Sequence, residues 1–153
     1  MKVVLAALPW AALHRPSAAL AALAPYLRRE CPGSIVECRY AYMDTGKRIG
    51  QAFYEFLSDF AHDGGELLYA ALYYPERRAA VKAHLTTMLV DRKTSLDDNI
   101  FIDRAIFGKV TSWDQVLEQV LKILEQGLNE LAADVAKNFD VVGLTTCFGQ
   151  LYA

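Results

Sequence analysis

The chain of 153 residues has little of what most recognisable sites are built from. Its three cysteines, Cys31, Cys38 and Cys147, make no CxxC and no close pair. Four-ligand zinc and iron–sulfur sites usually show paired spacing, so no metal ligand is assigned. An odd cysteine number without a secretion signal implies free thiols in a reducing compartment. Histidine is scarce too: His14, His62 and His84. None stands with a serine and an acid in the setting a nucleophile needs, and no GxSxG elbow occurs, so no catalytic residue is assigned. No GxGxxG follows the first apolar run and no GxxxxGK(S/T) occurs, which argues against standard dinucleotide and P-loop sites. A formal net charge of -2 supplies no basic field for nucleic acid or anionic lipid. No apolar run approaches the roughly 20 residues a membrane-spanning helix needs. Lys2 ahead of "VVLAALPWAAL" is faintly like a signal peptide, but Pro9, Trp10, His14 and Arg15 interrupt it early. These absences imply a soluble, cytoplasmic protein with no nucleic-acid or membrane partner.

What the chain does have is apolar mass, 54% of its residues, enough for the core of one domain spanning residues 1–153. Residues 2–8, "KVVLAAL", read as a short strand of the kind buried on both faces of a parallel sheet. A loop punctuated by Pro9 and Pro16 leads to Ser17, which can cap a helix running to about Glu30. Pro25 is expected to kink or divide that helix. Residues 35–42 read as a second strand, completing a right-handed βαβ unit. A helical insertion over about 46–110 follows, with Ile49, Phe53, Phe56, Leu57 and Phe60 on one face, a short piece over 66–74, and a helix opened by Pro75. Residues 91–110 are weakly patterned and predict loop with a helical turn or two. Asp97, Asp98 and Asp103 read as solvated surface. The clearest helix is 113–137, with Ser112 and Gln115 in capping-box spacing. It feeds a third strand, 141–147, read as buried and apolar on both faces. The expectation is an α/β fold, an incomplete doubly wound parallel sheet in the order 2-1-3.

Ligands of open parallel sheets bind beyond the carboxyl ends of the strands, near the point where strand order reverses. Three loops qualify: "LPWAALHRPS", "YMDTG" and "TTCFGQ". Ser17, Thr145, Thr146 and Gln150 would supply hydrogen bonds, and Trp10 and Phe148 flat apolar faces. The alternative is that Trp10 and Phe148 plug the sheet end as packing. The aromatic-rich middle, from Phe53 to Tyr74, leaves a similar choice between core and a groove for a peptide or partner subunit.

Two segments together resemble a family. "VVLAALPWAALHRPSAALAAL" resembles the opening of radical SAM enzymes that mature ribosomally made peptides and carry an N-terminal cobalamin (B12)-binding-like domain. "DVVGLTTCFGQLYA" is similar to their later strand and its Ser/Thr-Cys/Thr-x-Phe-x-Gln turn. The resemblance implies a Rossmann-like, B12-binding-like fold, with Pro9, Trp10, Ser17, Thr145, Thr146, Phe148 and Gln150 against the cofactor. It implies radical SAM chemistry, commonly C-methylation of a precursor peptide through methylcobalamin. The CxxxCxxC loop for a [4Fe–4S] cluster and the S-adenosylmethionine site are not among these residues, so the chain reads as the N-terminal part of a longer enzyme. The Asp-x-His-x-x-Gly of classical cobalamin domains is replaced by Asp59 to Gly64, with His62 one place late. Any cobalamin is therefore expected to be held without a protein nitrogen on cobalt. The competing reading is a non-catalytic helical module binding a precursor peptide or partner subunit. The apolar third strand also leads to an expectation of a homodimer.

Overall fold

The computed structural model describes residues 1–60, 64–91, 96 and 101–145. Three parallel strands, β1 (Lys2–Ala7), β2 (Ile35–Tyr40) and β3 (Val141–Thr145), lie in the order β2-β1-β3. Val3 pairs with Val36 on one side and Val141 on the other, which fixes the register of all three. The Asp140 carboxylate accepts the Lys2 N–H at 2.8 Å and the Asp140 N–H returns to the Lys2 carbonyl, clamping β3 to the start of β1. The order expected from sequence is the one found.

Helix α1 (Ala18–Glu30) joins β1 to β2, and helix α7 (Trp113–Asn138) leads into β3. The chain leaves β1 toward one side for β2 and reaches the other side for β3. Ser17 caps α1 as expected, its Oγ accepting the Leu20 N–H. Pro25, however, does not divide the helix. Pro25 and Ala21, whose carbonyl loses its helical donor, are both exposed, so water can take the donor's place.

The second strand is shorter than expected. It stops at Tyr40, and residues 41–49 form α2 (Ala41–Ile49), so "YMDTG" is helix rather than loop. Tyr42, Thr45, Gly46 and Ile49 are its buried residues, a three-to-four spacing that only a helix can bury on one face. Gly50, at φ 85°, lets the chain turn into α3 (Gln51–Glu55), which runs on through a π turn at Phe56–Phe60. The helical layer continues with α4 (Gly64–Tyr73), a 3₁₀ turn at Pro75–Arg77, α5 (Arg78–Asp91) and the single turn α6 (Arg104–Phe107). Phe53 sits at its centre, fully buried, edge-on to Phe107 and stacked with Trp113 at 6.4 Å between centroids. On α7, Val116, Leu117, Val120 and Leu121 are fully buried, whereas Leu128, Leu131 and Val135 are only half-buried. Lys82 bridges Asp114 and Glu118, and Arg78 also pairs with Glu118, tying α5 to α7.

Strand β3 departs from the expected two-sided burial. Val141, Val142 and Leu144 are 44%, 45% and 57% exposed. Among the described residues it pairs with β1 alone, and the outer turns of α7 lie near Val142 and Leu144. The residues expected to extend it, 146 and 147, lie outside the described residues.

Replacing Phe53 by alanine removes the ring about which the helical layer is arranged. Urea denaturation should show a loss of about 3–5 kcal/mol, the range for a large aromatic deleted from a close-packed core. Ser112→Ala, which removes only the cap of α7, should cost about 1 kcal/mol.

Candidate functional site

The loop leaving β1 at the carboxyl end of the sheet contains the one described non-glycine residue with positive φ, Trp10 at 73°. A left-handed tryptophan costs on the order of 1–3 kcal/mol and persists only where its surroundings enforce it. Here Tyr54 enforces it. The Tyr54 hydroxyl accepts the Trp10 N–H at 2.7 Å and donates to the Ala11 carbonyl at 2.8 Å. The Tyr54 ring stacks on the indole at 5.1 Å, and Tyr69 meets it edge-on at 6.2 Å. Gly65 completes the seat, since a Cβ there would lie 2.4 Å from the indole. Gly46 does the same for the next apolar residue of the loop, with Leu13 carbons 2.8 Å from where its Cβ would stand. Trp10 Nε1 and the Tyr69 hydroxyl are buried without a hydrogen-bond partner. Burial pushes the Tyr69 phenol far up from its ordinary value.

This geometry decides between the two roles expected of Trp10. Its face is occupied by Tyr54 and its side chain is 7% exposed, so it anchors the loop to the helical layer and offers no free stacking platform. The Ser17 Oγ is engaged as the cap of α1. Thr145 donates a long 3.5 Å contact to the Ala6 carbonyl. Trp10, Ser17 and Thr145 nevertheless line one cleft of about 460 Å³ between the ends of β1 and β3. Ala7, Ala18 and Ala19 complete much of its wall, and Arg15 adds a charged side chain. The order β2-β1-β3 places β1 between its two partners, and this cleft lies at its carboxyl end on the β3 side. Pro9 falls elsewhere, in a second cleft of about 200 Å³ between α2 and α7. Thr146, Phe148 and Gln150 lie outside the described residues.

The second cleft is spanned by ion pairs. Arg39, at the end of β2, pairs with Asp134 and Glu37, and Arg48 on α2 pairs with Glu130. Burial pulls the Arg39 pKa down, but its hydrogen bonds to Asp134 and Glu37 outweigh this and the net direction is up. Glu130 is held below its ordinary 4.5, first by Arg48 and then by Gln126. Asp134 is held below its ordinary 3.8, first by Asn138 and then by Arg39. Depressed carboxylates stabilise the fold above their unfolded pKa, and that contribution is lost as pH falls through the folded value.

Sequence reasoning missed Tyr54, Gly65 and this second cleft. Tyr54 lies 44 residues from its hydrogen-bond partner Trp10, and nothing local distinguishes it from its aromatic neighbours. Phe53, Tyr54, Phe56 and Tyr69 are buried core, so of the aromatic-rich middle only Tyr73 and Tyr74 stand exposed among the described residues. His14 is exposed in the β1 loop and His84 on α5. Among the described residues no cluster of His, Cys, Asp or Glu has the arrangement of a metal site.

Tyr54→Phe keeps the ring but strands the Trp10 N–H and the Ala11 carbonyl. It should cost about 1–3 kcal/mol in urea denaturation, far more than an exposed tyrosine such as Tyr73→Phe. NMR titration should place the Glu130 carboxyl below its ordinary value, and Arg48→Gln should move it upward. No known protein family matches the sequence, and neither a curated protein nor a solved structure matches it.

Proposed function

We propose that the chain is the N-terminal, cobalamin-binding-like part of a radical SAM enzyme that modifies, by C-methylation, a ribosomally made precursor peptide. The single observation that carries this reading is the cleft at the reversal of strand order. It gathers Trp10, Ser17 and Thr145, residues of the two segments that resemble that family, although 134 positions lie between Trp10 and Thr145. An all-parallel sheet in the order 2-1-3 supports this reading, since it suits the opening of a doubly wound Rossmann-like arrangement. The helices inserted between β2 and β3 suit the same reading.

The described residues fit a cobalamin at its edge rather than across its face. Ala7, Ala18 and Ala19 leave an open wall, with Arg15, Ser17 and Thr145 as the polar side chains that line it. Trp10 supports this wall from behind and does not stack. Cobalamin, when bound, supplies a transferable methyl group. The cleft's own part is to hold and orient the cofactor beside the sheet. The cluster and S-adenosylmethionine sites of such an enzyme would be supplied by other sequence, and the precursor peptide would be its substrate.

The test is retention of hydroxocobalamin by the purified protein on gel filtration, read by visible absorbance. The wild type should carry stoichiometric colour. Ala19→Trp, which fills the cleft from an exposed position on α1, should lose most of it. Ala22→Trp, exposed on the same helix outside the cleft, should retain it. A colourless wild-type peak, or equal retention by both variants, would sink the assignment.

A further inference from the structure

The cleft between α2 and α7 has features that the fold does not require. The first is Gly127, in the interior of the 26-residue α7. A helix-interior glycine costs roughly 1 kcal/mol relative to alanine. Tight packing usually explains such a residue, as it does at Gly65. At Gly127 it does not, because an added Cβ would meet only Arg48 Nη1, at 3.9 Å. The missing side chain leaves the cleft open and has no other evident use.

The second feature is Thr45, the one polar residue in the buried set, 8% exposed and lining the cleft. Its hydroxyl makes no hydrogen bond among the described residues and is not one of their fully buried, unpartnered atoms, so it stays open to solvent. It can both donate and accept, so a group entering the cleft can bond to it in place of water. The third feature is the set of spare hydrogen-bonding atoms. Arg48 gives one nitrogen, Nη2, to Glu130, and Arg39 gives Nε and Nη1 to Asp134 and Glu37. A guanidinium has five N–H donors, so each arginine keeps donors beyond these bonds. The facing carboxylates of Asp44, Glu130 and Asp134 likewise keep acceptor capacity.

Charge then selects the ligand. An anion would meet the arginines but also three carboxylates, and a cation would meet the carboxylates but also two guanidinium groups. A neutral group that both accepts and donates meets neither repulsion. A carboxamide is such a group: its oxygen can accept from Thr45 or an arginine, and its NH₂ can donate to a carboxylate. Leu124, Leu128 and Leu131 provide an apolar wall for whatever carries it. We propose that the α2–α7 cleft is a binding site for a primary carboxamide carried on a branched apolar body.

The experiment uses isobutyramide as the probe, with NMR detection of the Thr45, Gly127 and Leu128 signals. Isobutyramide should shift them saturably at concentrations on the order of 10 mM, as befits a very small ligand. Isobutyrate and isobutyramidinium, its anionic and cationic isosteres, should bind at least about tenfold more weakly, since each must shed charge solvation against like charges. N-methylisobutyramide, a model of a chain peptide link, should also be weaker because it has one donor fewer. Gly127→Leu should abolish the response. Gly127→Ala should leave the protein at least as stable by thermal melting while weakening the response severalfold, so lost binding cannot be ascribed to lost fold. Absence of a saturable shift, equal response to the charged isosteres, or an undiminished response in both Gly127 variants would overturn the proposal.

Discussion

The hydroxyl of Tyr54 hydrogen-bonds the loop that leaves the central strand to the helical layer. On one side lies the exit of the central strand, where the chain must turn sharply after Ala7. On the other lies a helical layer contributed by residues far along the sequence. One oxygen accepts the Trp10 N–H and returns its own proton to the Ala11 carbonyl, while its ring carries the indole. A left-handed tryptophan is tolerable only under that double constraint. The constraint in turn sets where α1 begins, and so where the Ala18–Ala19 wall of the β1/β3 cleft stands. Gly65 and Gly46 complete the arrangement by their lack of bulk, letting Trp10 and Leu13 settle onto α4 and α2.

Much of this was legible in the sequence. The strand order followed from the short apolar runs and the handedness of crossovers, and α7 followed from the spacing of Trp113, Val116, Leu117, Val120 and Leu121. Ser17 and Ser112 were readable as caps because capping is local chemistry, each hydroxyl taking an N–H three residues on. The capping box at Ser112 differs in one detail, since the Gln115 side chain reaches back to the Thr111 N–H. The end of β2 was not legible. "RYAYM" carries β-favouring aromatics, and only the tertiary environment that buries Tyr42, Thr45 and Ile49 together decides for helix. That Pro25 leaves α1 undivided was not legible either, because the cost of an interior proline depends on whether the freed carbonyl meets solvent.

The site was legible in part, for a related reason. Trp10, Ser17 and Thr145 could be placed at the sheet end by topology alone, and they do line one cleft there. What Trp10 does in that cleft depended on Tyr54, Gly65 and Tyr69, partners without any local signal. The charged cleft was hidden more completely. Glu130 and Asp134 are one turn apart on α7 and look like an ordinary solvated face, until the ends of β2 and α2 bring two arginines to them.

Strand β3 carries a consequence for how the chain acquires its structure during synthesis. Residues emerge from the ribosome in order, so β1 and β2 can pair through one short crossover once about 40 residues are free. The other side of β1 must wait for Val141, and Val3 and Val141 close a loop that spans nearly the whole chain. During that interval Val4 and Ala6, both fully buried in the finished fold, lie on a strand with one unpaired side. The helical layer between β2 and β3 is rich in local contacts and can form in the meantime, holding the exit of β1 through Tyr54 before its last neighbour exists. A nascent chain stalled in α7 would then present a half-built sheet with an open edge on its central strand. Such a species is a natural client for a chaperone that recognises unpaired apolar strands.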